Sequence, residues 1–141
     1  MTVNADNVAW WMRVAFGDLA GARAILTAAE IPAREAAFMA HQAAEKALKA
    51  TILSIGTEPP WTHDLVGLRL RAPAPVRAAT GHLVIEPLSA AAMAARYPDP
   101  DDPPYDRDEV ERFVATASAI FDVSRAHLES TGLVVGAIEP A

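Results

Sequence analysis

The sequence contains no cysteine, which excludes disulfide staples, thiolate zinc sites, iron–sulfur ligation and a cysteine nucleophile together. Aromatic residues are scarce, with three tryptophans, four phenylalanines and two tyrosines, too few to favour the strands of a sandwich or barrel. No apolar run approaches the roughly 20 residues that cross a bilayer, and residues 1–11 lack the basic-then-apolar layout of a signal peptide. A cytoplasmic protein without membrane association is therefore expected. Lysine is nearly missing, being confined to Lys46 and Lys49. Twelve Lys plus Arg against eighteen Asp plus Glu give a net charge of −6. That balance argues against a broad basic coat binding nucleic acid by counterion release, and leaves room for a local basic site. The Gly-rich phosphate loops and the serine hydrolase elbow are absent as well.

What is abundant is alanine, 31 residues in a chain of 141, and alanine is the strongest helix former. The composition predicts one all-α domain. From Asp6 to about Ala29 a helical stripe runs through Trp11, Ala15, Leu19, Ala22, Leu26 and Ala29, with Asp6 as its cap and Asp18 at its edge. Gly17 and Gly21, four apart, predict close packing against another helix. A second helix opens at Pro32 and runs to Ile55, where Gly56 stops it; with the first it forms an antiparallel hairpin.

Thr62 is placed to cap a short turn starting at His63 and Asp64, with Leu65, Leu68 and Leu70 inward and Pro73 and Pro75 ending it. Residues 76–95 again suit helix, kinked or divided at Gly81 and Pro87. The Pro-Asp stretch 98–104 reads as an exposed loop. A last helix begins at an Asp106/Glu109 capping box and carries Val110, Phe113, Val114, Ala117, Phe121, Ser124 and Leu128. That makes about five helices. Residues 131–141, apolar at Leu133, Val134, Val135 and Ile138, form a tail free to fray, to dock on a neighbour or to exchange between protomers.

The most informative stretch is His41-Gln42-Ala43-Ala44-Glu45-Lys46-Ala47-Leu48-Lys49-Ala50. Gln42, Glu45, Lys46 and Lys49 fall at i, i+3, i+4 and i+7 on one narrow polar face. Two readings remain open: a structural stripe held by a Glu45–Lys49 pair, and lysines aimed at a phosphate or a partner. His63 and Asp64 sit at a helix start, where an acid is favoured by the dipole. The four histidines, His41, His63, His82 and His127, do not fall at metal-ligand spacings and no carboxylate cluster joins them, so no metal site is expected.

HQAAEKALKA, then Pro59 and Pro60, then Thr62-His63-Asp64-Leu65 with Leu68, together resemble the signature of HEPN-domain proteins (higher eukaryotes and prokaryotes nucleotide-binding). Trp11, Ala15, Asp18 and Ala22, the run Ala95-Arg96-Tyr97-Pro98, and the closing amphipathic helix agree, so the resemblance spans residue 11 to about residue 128. It implies an up-and-down helical bundle over 1–130, usually dimeric and often encoded beside a minimal nucleotidyltransferase, with no cofactor. Some members are metal-independent ribonuclease toxins with an Arg-x(4-6)-His motif from both protomers, in which His moves a proton and Arg stabilises the phosphorus oxyanions.

In this chain Arg96 is followed by Tyr97, Pro98 and acidic residues, with no histidine at that spacing. Arg125 and His127, two positions apart, point about 200° away from each other. One literal match remains: Arg34 and His41, seven helical steps and about 10.5 Å apart along one face, are the candidate catalytic pair. The expectation is a binding subunit for a nucleotide, RNA or nucleotidyltransferase-type partner, with Lys46, Lys49, Arg96 and Tyr97 lining its surface and Gln42, Glu45, His63 and Asp64 beside them. The alternatives are a ribonuclease toxin of a toxin–antitoxin pair, using Arg34 and His41 or Arg96 with a histidine brought near by folding, and a purely structural interaction bundle. Residues 99–111 carry seven acids and one arginine, which equals the whole net charge of −6. The rest of the chain is electrically balanced.

Overall fold

The computed structural model describes residues 3–97, 99–101, 104–133 and 138–140, residue 95 by its backbone only. Among them there are six α-helices and no strand. The helix α1 (Ala5–Thr27) is capped by Asn4, whose side chain accepts the Asn7 N–H at 3.2 Å. Asp6 therefore lies in the first turn, where its charge meets the positive end of the helix dipole, and does not make the cap. The buried stripe is Val8, Met12, Ala15, Leu19 and Ala22; Trp11 and Leu26 are half-buried and Ala29 lies beyond the helix end. With alanines on every side of α1, apolar periodicity alone places this stripe poorly.

The next helix, α2 (Ala33–Ser54), is the axis of the bundle. It packs mainly against α1 and α6 and also against α5 and α3, and fourteen of its twenty-two residues are buried. Alanine makes this possible: Ala36, Ala37, Ala40, Ala43, Ala44, Ala47 and Ala50 are fully buried, so neighbouring backbones approach on several faces at once. Gly56 ends the helix with φ 77°, a left-handed conformation that glycine adopts without a Cβ clash. Of the two glycines on α1, Gly21 faces α2 so closely that an added Cβ would lie 2.7 Å from Met39 Cε, whereas Gly17 has nothing within 4 Å. Only Gly21 is a packing glycine.

The short helix α3 (Leu65–Arg71) is capped by Asp64, which accepts the Val66 N–H at 3.1 Å; Thr62 instead accepts the Asp64 N–H one step earlier. Leu65 and Leu68 are buried, but Leu70 is 69% exposed, because a seven-residue helix turns only one narrow face inward. The segment expected to be kinked or divided is divided: α4 (Ala74–Thr80) and α5 (Glu86–Arg96). Pro75 and Pro87 each stand in a first helical turn, where the missing N–H costs nothing. Proline here starts helices that it would break from within.

The last helix, α6 (Arg107–Ser130), starts at Asp106, which accepts the Asp108 N–H at 3.1 Å; no return bond from Glu109 occurs among the described residues. Every expected stripe residue is buried, from Val110 to Leu128. The helix is tied to α1 by Arg23 to the Ser118 hydroxyl at 2.8 Å and by Arg107 to the Leu26 carbonyl. Ile138 joins the core and Leu133 packs against it. Asp99, Pro100, Asp101 and Pro104 are exposed, while residues 98, 102 and 103 of the expected loop and Val134 and Val135 of the tail lie outside the described residues. No helix among those described is long and apolar enough to cross a membrane.

Candidate active site and ligand cleft

The face of α2 that matters is His41, Glu45 and Lys49, three residues at steps of four. Because α2 is enclosed by its neighbours, all three are buried: His41 fully, Glu45 at 4% and Lys49 at 8% exposure. Glu45 is the junction. Its Oε2 accepts from Lys49 Nζ at 3.1 Å, and its Oε1 accepts from His63 Nδ1 at 2.7 Å. Buried carboxylate and ammonium each need the other, and removing one partner from such a pair costs about 3–5 kcal/mol.

His63 comes from the α2–α3 connection and is held twice. Its ring is fixed by Glu45, and its backbone carbonyl accepts from His41 Nε2 at 2.8 Å. A carbonyl only accepts, so His41 carries its proton on Nε2, leaving Nδ1 as an acceptor 3.9 Å from Glu45 Oε1 and without a hydrogen bond. Burial pushes the His41 pKa below its ordinary 6.5; the carbonyl of His63 and the Glu45 carboxylate oppose that shift without cancelling it, and His63 and Arg96 add to it. The same donor logic puts the His63 proton on Nδ1, toward Glu45. In the neutral ring Nε2 is then a free acceptor, on a side chain that is 58% exposed.

Across from His63, α5 carries Arg96 in its last turn. The Arg96 guanidinium lies 5.3 Å over the Phe38 ring of α2 and makes no ion pair among the described residues. Between them runs a cleft of about 430 Å³, walled by His63, Asp64 and Val66 on one side and by α5 from Glu86 through Met93 to Arg96 and Tyr97 on the other. Tyr97 is 67% exposed. Such a cleft offers a forked cation for a phosphate, a histidine oriented by a carboxylate for hydrogen bonding or proton transfer, and apolar walls.

The expected site residues therefore divide. Glu45, Lys49, His41, His63, Asp64, Arg96 and Tyr97 lie in or directly behind the cleft. Lys46 turns to the other side of α2, where its Nζ meets Asp18 Oδ2 of α1 at 2.5 Å. The polar face expected on α2 is thus split between two neighbours, and both lysines are matched by carboxylates. Gln42 is half-buried, with its Nε2 unbonded. Arg34 is exposed and bonded to Glu35 at 3.3 Å, and neither it nor His41 lines the cleft. Arg125 pairs with Glu129 at 2.8 Å. Glu86, Ser89, Met93 and Phe38 are not among the expected site residues; the sequence signal nearest to them is Pro87, which marks the kink or division expected in residues 76–95 and stands in the first turn of α5. No group of three or more His, Asp or Glu side chains suited to a metal occurs among the described residues.

Comparison with known families matches a model described as the HEPN domain to residues 8–127. No match was found among curated proteins or among solved structures.

Proposed function

The chain belongs to the HEPN domain family, and from that premise we propose that it binds a phosphate-bearing ligand, a nucleotide or a segment of RNA, in the cleft between α5 and the start of α3. The observation that carries this reading is that His63 and Arg96 face one cleft while both lysines are occupied by carboxylates elsewhere. Arg96 is the anion-binding group. Phe38 beneath the guanidinium holds it without neutralising it. His63 adds a second polar contact whose direction is set by Glu45, with Lys49 fixing Glu45 from behind. For an RNA segment, Tyr97, next to Arg96, offers a ring on which a base flanking the bound phosphate stacks. In the same reading the chain acts as a homodimer and as the binding subunit beside a nucleotidyltransferase-type partner. The exposed Asp99 and Asp101, just past the cleft, suit a partner with a basic surface.

Titration of ATP, GTP and a short single-stranded RNA into the purified protein tests this. Saturable binding that weakens with salt and is lost in Arg96→Ala is expected; absence of binding to all three by folded protein would overturn it.

A second reading is favoured by one specific feature, the 2.7 Å contact that leaves His63 Nε2 facing the cleft as a proton acceptor. In a metal-independent ribonuclease, Nε2 takes the proton of a ribose 2′-hydroxyl as that oxygen attacks the adjacent phosphorus. The proton is returned to the departing 5′-oxygen, and Arg96 stabilises the pentacoordinate oxyanion. Cleavage of RNA in EDTA that disappears in His63→Ala distinguishes this reading from binding alone.

A further inference from the structure

The cleft is not uniform along its length. Glu86 stands in the first turn of α5 and Arg96 in the last, ten residues and about 15 Å of helix apart. Glu86, Ala90, Met93 and Tyr97 follow one another at helical steps of three or four along the face that lines the cleft. The cation is at one end, the carboxylate at the other, and the walls between are apolar, from Val66 of α3 and from Ala90 and Met93 of α5. The second carboxylate in the cleft, Asp64, is already engaged, because its Oδ1 accepts the Val66 N–H and faces the Ser89 hydroxyl at 3.5 Å. Glu86 has neither a hydrogen bond nor an ion pair among the described residues.

A ligand complementary to this order is anionic at one end, flat and apolar in the middle, and rich in N–H donors at the other. We infer that the cleft selects guanine nucleotides, with the phosphates at Arg96 and the base edge at Glu86. The choice among bases follows from donor chemistry. An ionised carboxylate only accepts hydrogen bonds, and it accepts two in parallel when the donors are adjacent. Guanine presents N1–H and the N2 amino group side by side. Adenine and cytosine set an acceptor next to their amino group, and uracil flanks its single N–H with two carbonyls, so each brings a lone pair against Glu86. A base edge laid against Glu86 covers a carboxylate that is exposed in the free protein, so a base that offers paired donors is preferred over one that turns a lone pair toward it.

This rests on the nucleotide-binding reading above, and the test separates the two. GTP and ATP, which share a triphosphate and differ in the base, are titrated into the full chain and into Glu86→Gln and Glu86→Ala variants. In the unsubstituted protein GTP binds about tenfold tighter than ATP, the discrimination of one good bidentate pair. In Glu86→Gln the side chain has one acceptor and one donor, the pattern that suits adenine, and the preference is lost or inverted. In Glu86→Ala GTP falls to the affinity of ATP. Equal binding of GTP and ATP by the unsubstituted protein, or a GTP preference unmoved by both substitutions, overturns the base assignment and leaves nucleotide binding standing. If neither nucleotide binds, the base assignment is overturned, and if the short RNA fails to bind as well, the phosphate-ligand reading falls with it. Glu86 is exposed, so both variants are expected to keep the fold, and their melting curves check this.

Discussion

Glu45 holds His63 by its ring nitrogen at 2.7 Å while its other oxygen holds Lys49 at 3.1 Å. A single buried carboxylate therefore serves the stability of α2 and the orientation of the histidine in the cleft. Replacing it separates the two roles. Glu45→Ala leaves the Lys49 ammonium buried without a partner, and a loss of about 3–5 kcal/mol is expected in urea denaturation. The double variant Glu45→Leu/Lys49→Met removes both charges and is expected to recover most of that loss, yet its His63 remains unanchored and ligand binding stays impaired.

His41 makes stability depend on pH. Above its ordinary pKa of 6.5 the ring is neutral in both folded and unfolded chains, so its contribution is complete. Below that value the unfolded chain takes up a proton that the buried ring refuses, and stability falls as the pH falls toward the lowered folded pKa. Denaturation of the natural chain and of His41→Gln at about pH 7.5 and about pH 5 measures this. The loss on acidification is expected to be smaller in the variant; an equal loss in both would show that His41 is not its source.

The two glycines of α1 respond differently to substitution. Gly17 has free space around it, so Gly17→Ala gains helix propensity and is expected to raise stability by up to about 1 kcal/mol. At Gly21 the new Cβ meets the flexible end of Met39 at 2.7 Å, which must move aside. Gly21→Ala is expected to gain less than Gly17→Ala, as read from the two melting temperatures.

Much of this architecture was legible in the chain. The limits of α2 and the start of α6 were readable because their signals are local: Gly56 in a left-handed turn, and Asp106 as a cap. The division of α4 from α5 was only half visible, since Pro75 and Pro87 carry the same letter whether they break a helix or begin one. In α1 an alanine-rich surface blurred the stripe, and the buried set begins at Val8 and Met12, residues outside the expected one. At the site, Glu45, Lys49, His63 and Arg96 were each recognisable from their motif. Their meeting is tertiary, however, made by the α2–α3 connection folding back and by α5 crossing α2. No spacing rule shows that Lys46 turns to Asp18 while Lys49 turns to Glu45, because the direction of each depends on which neighbour encloses that face of α2.

The cap of α3 also supports the cleft. Asp64 accepts the Val66 N–H and lies beside Ser89 of α5. Asp64→Ala is expected to lower stability by about 0.5–2 kcal/mol, whereas Asp64→Asn retains an acceptor and costs less; thermal melts of the pair measure the difference.

In the proposed function Arg96 binds the phosphate of a ligand in the α3–α5 cleft. Calorimetric titration of GTP into the natural chain and into Arg96→Ala at low salt tests it most directly. Saturable binding by the former is expected, weakened at least about tenfold in the variant through loss of a charge-assisted contact, with the melting temperature little changed because Arg96 is exposed. Equal affinity in the two proteins would contradict the claim, and so would an absence of binding by the folded natural chain.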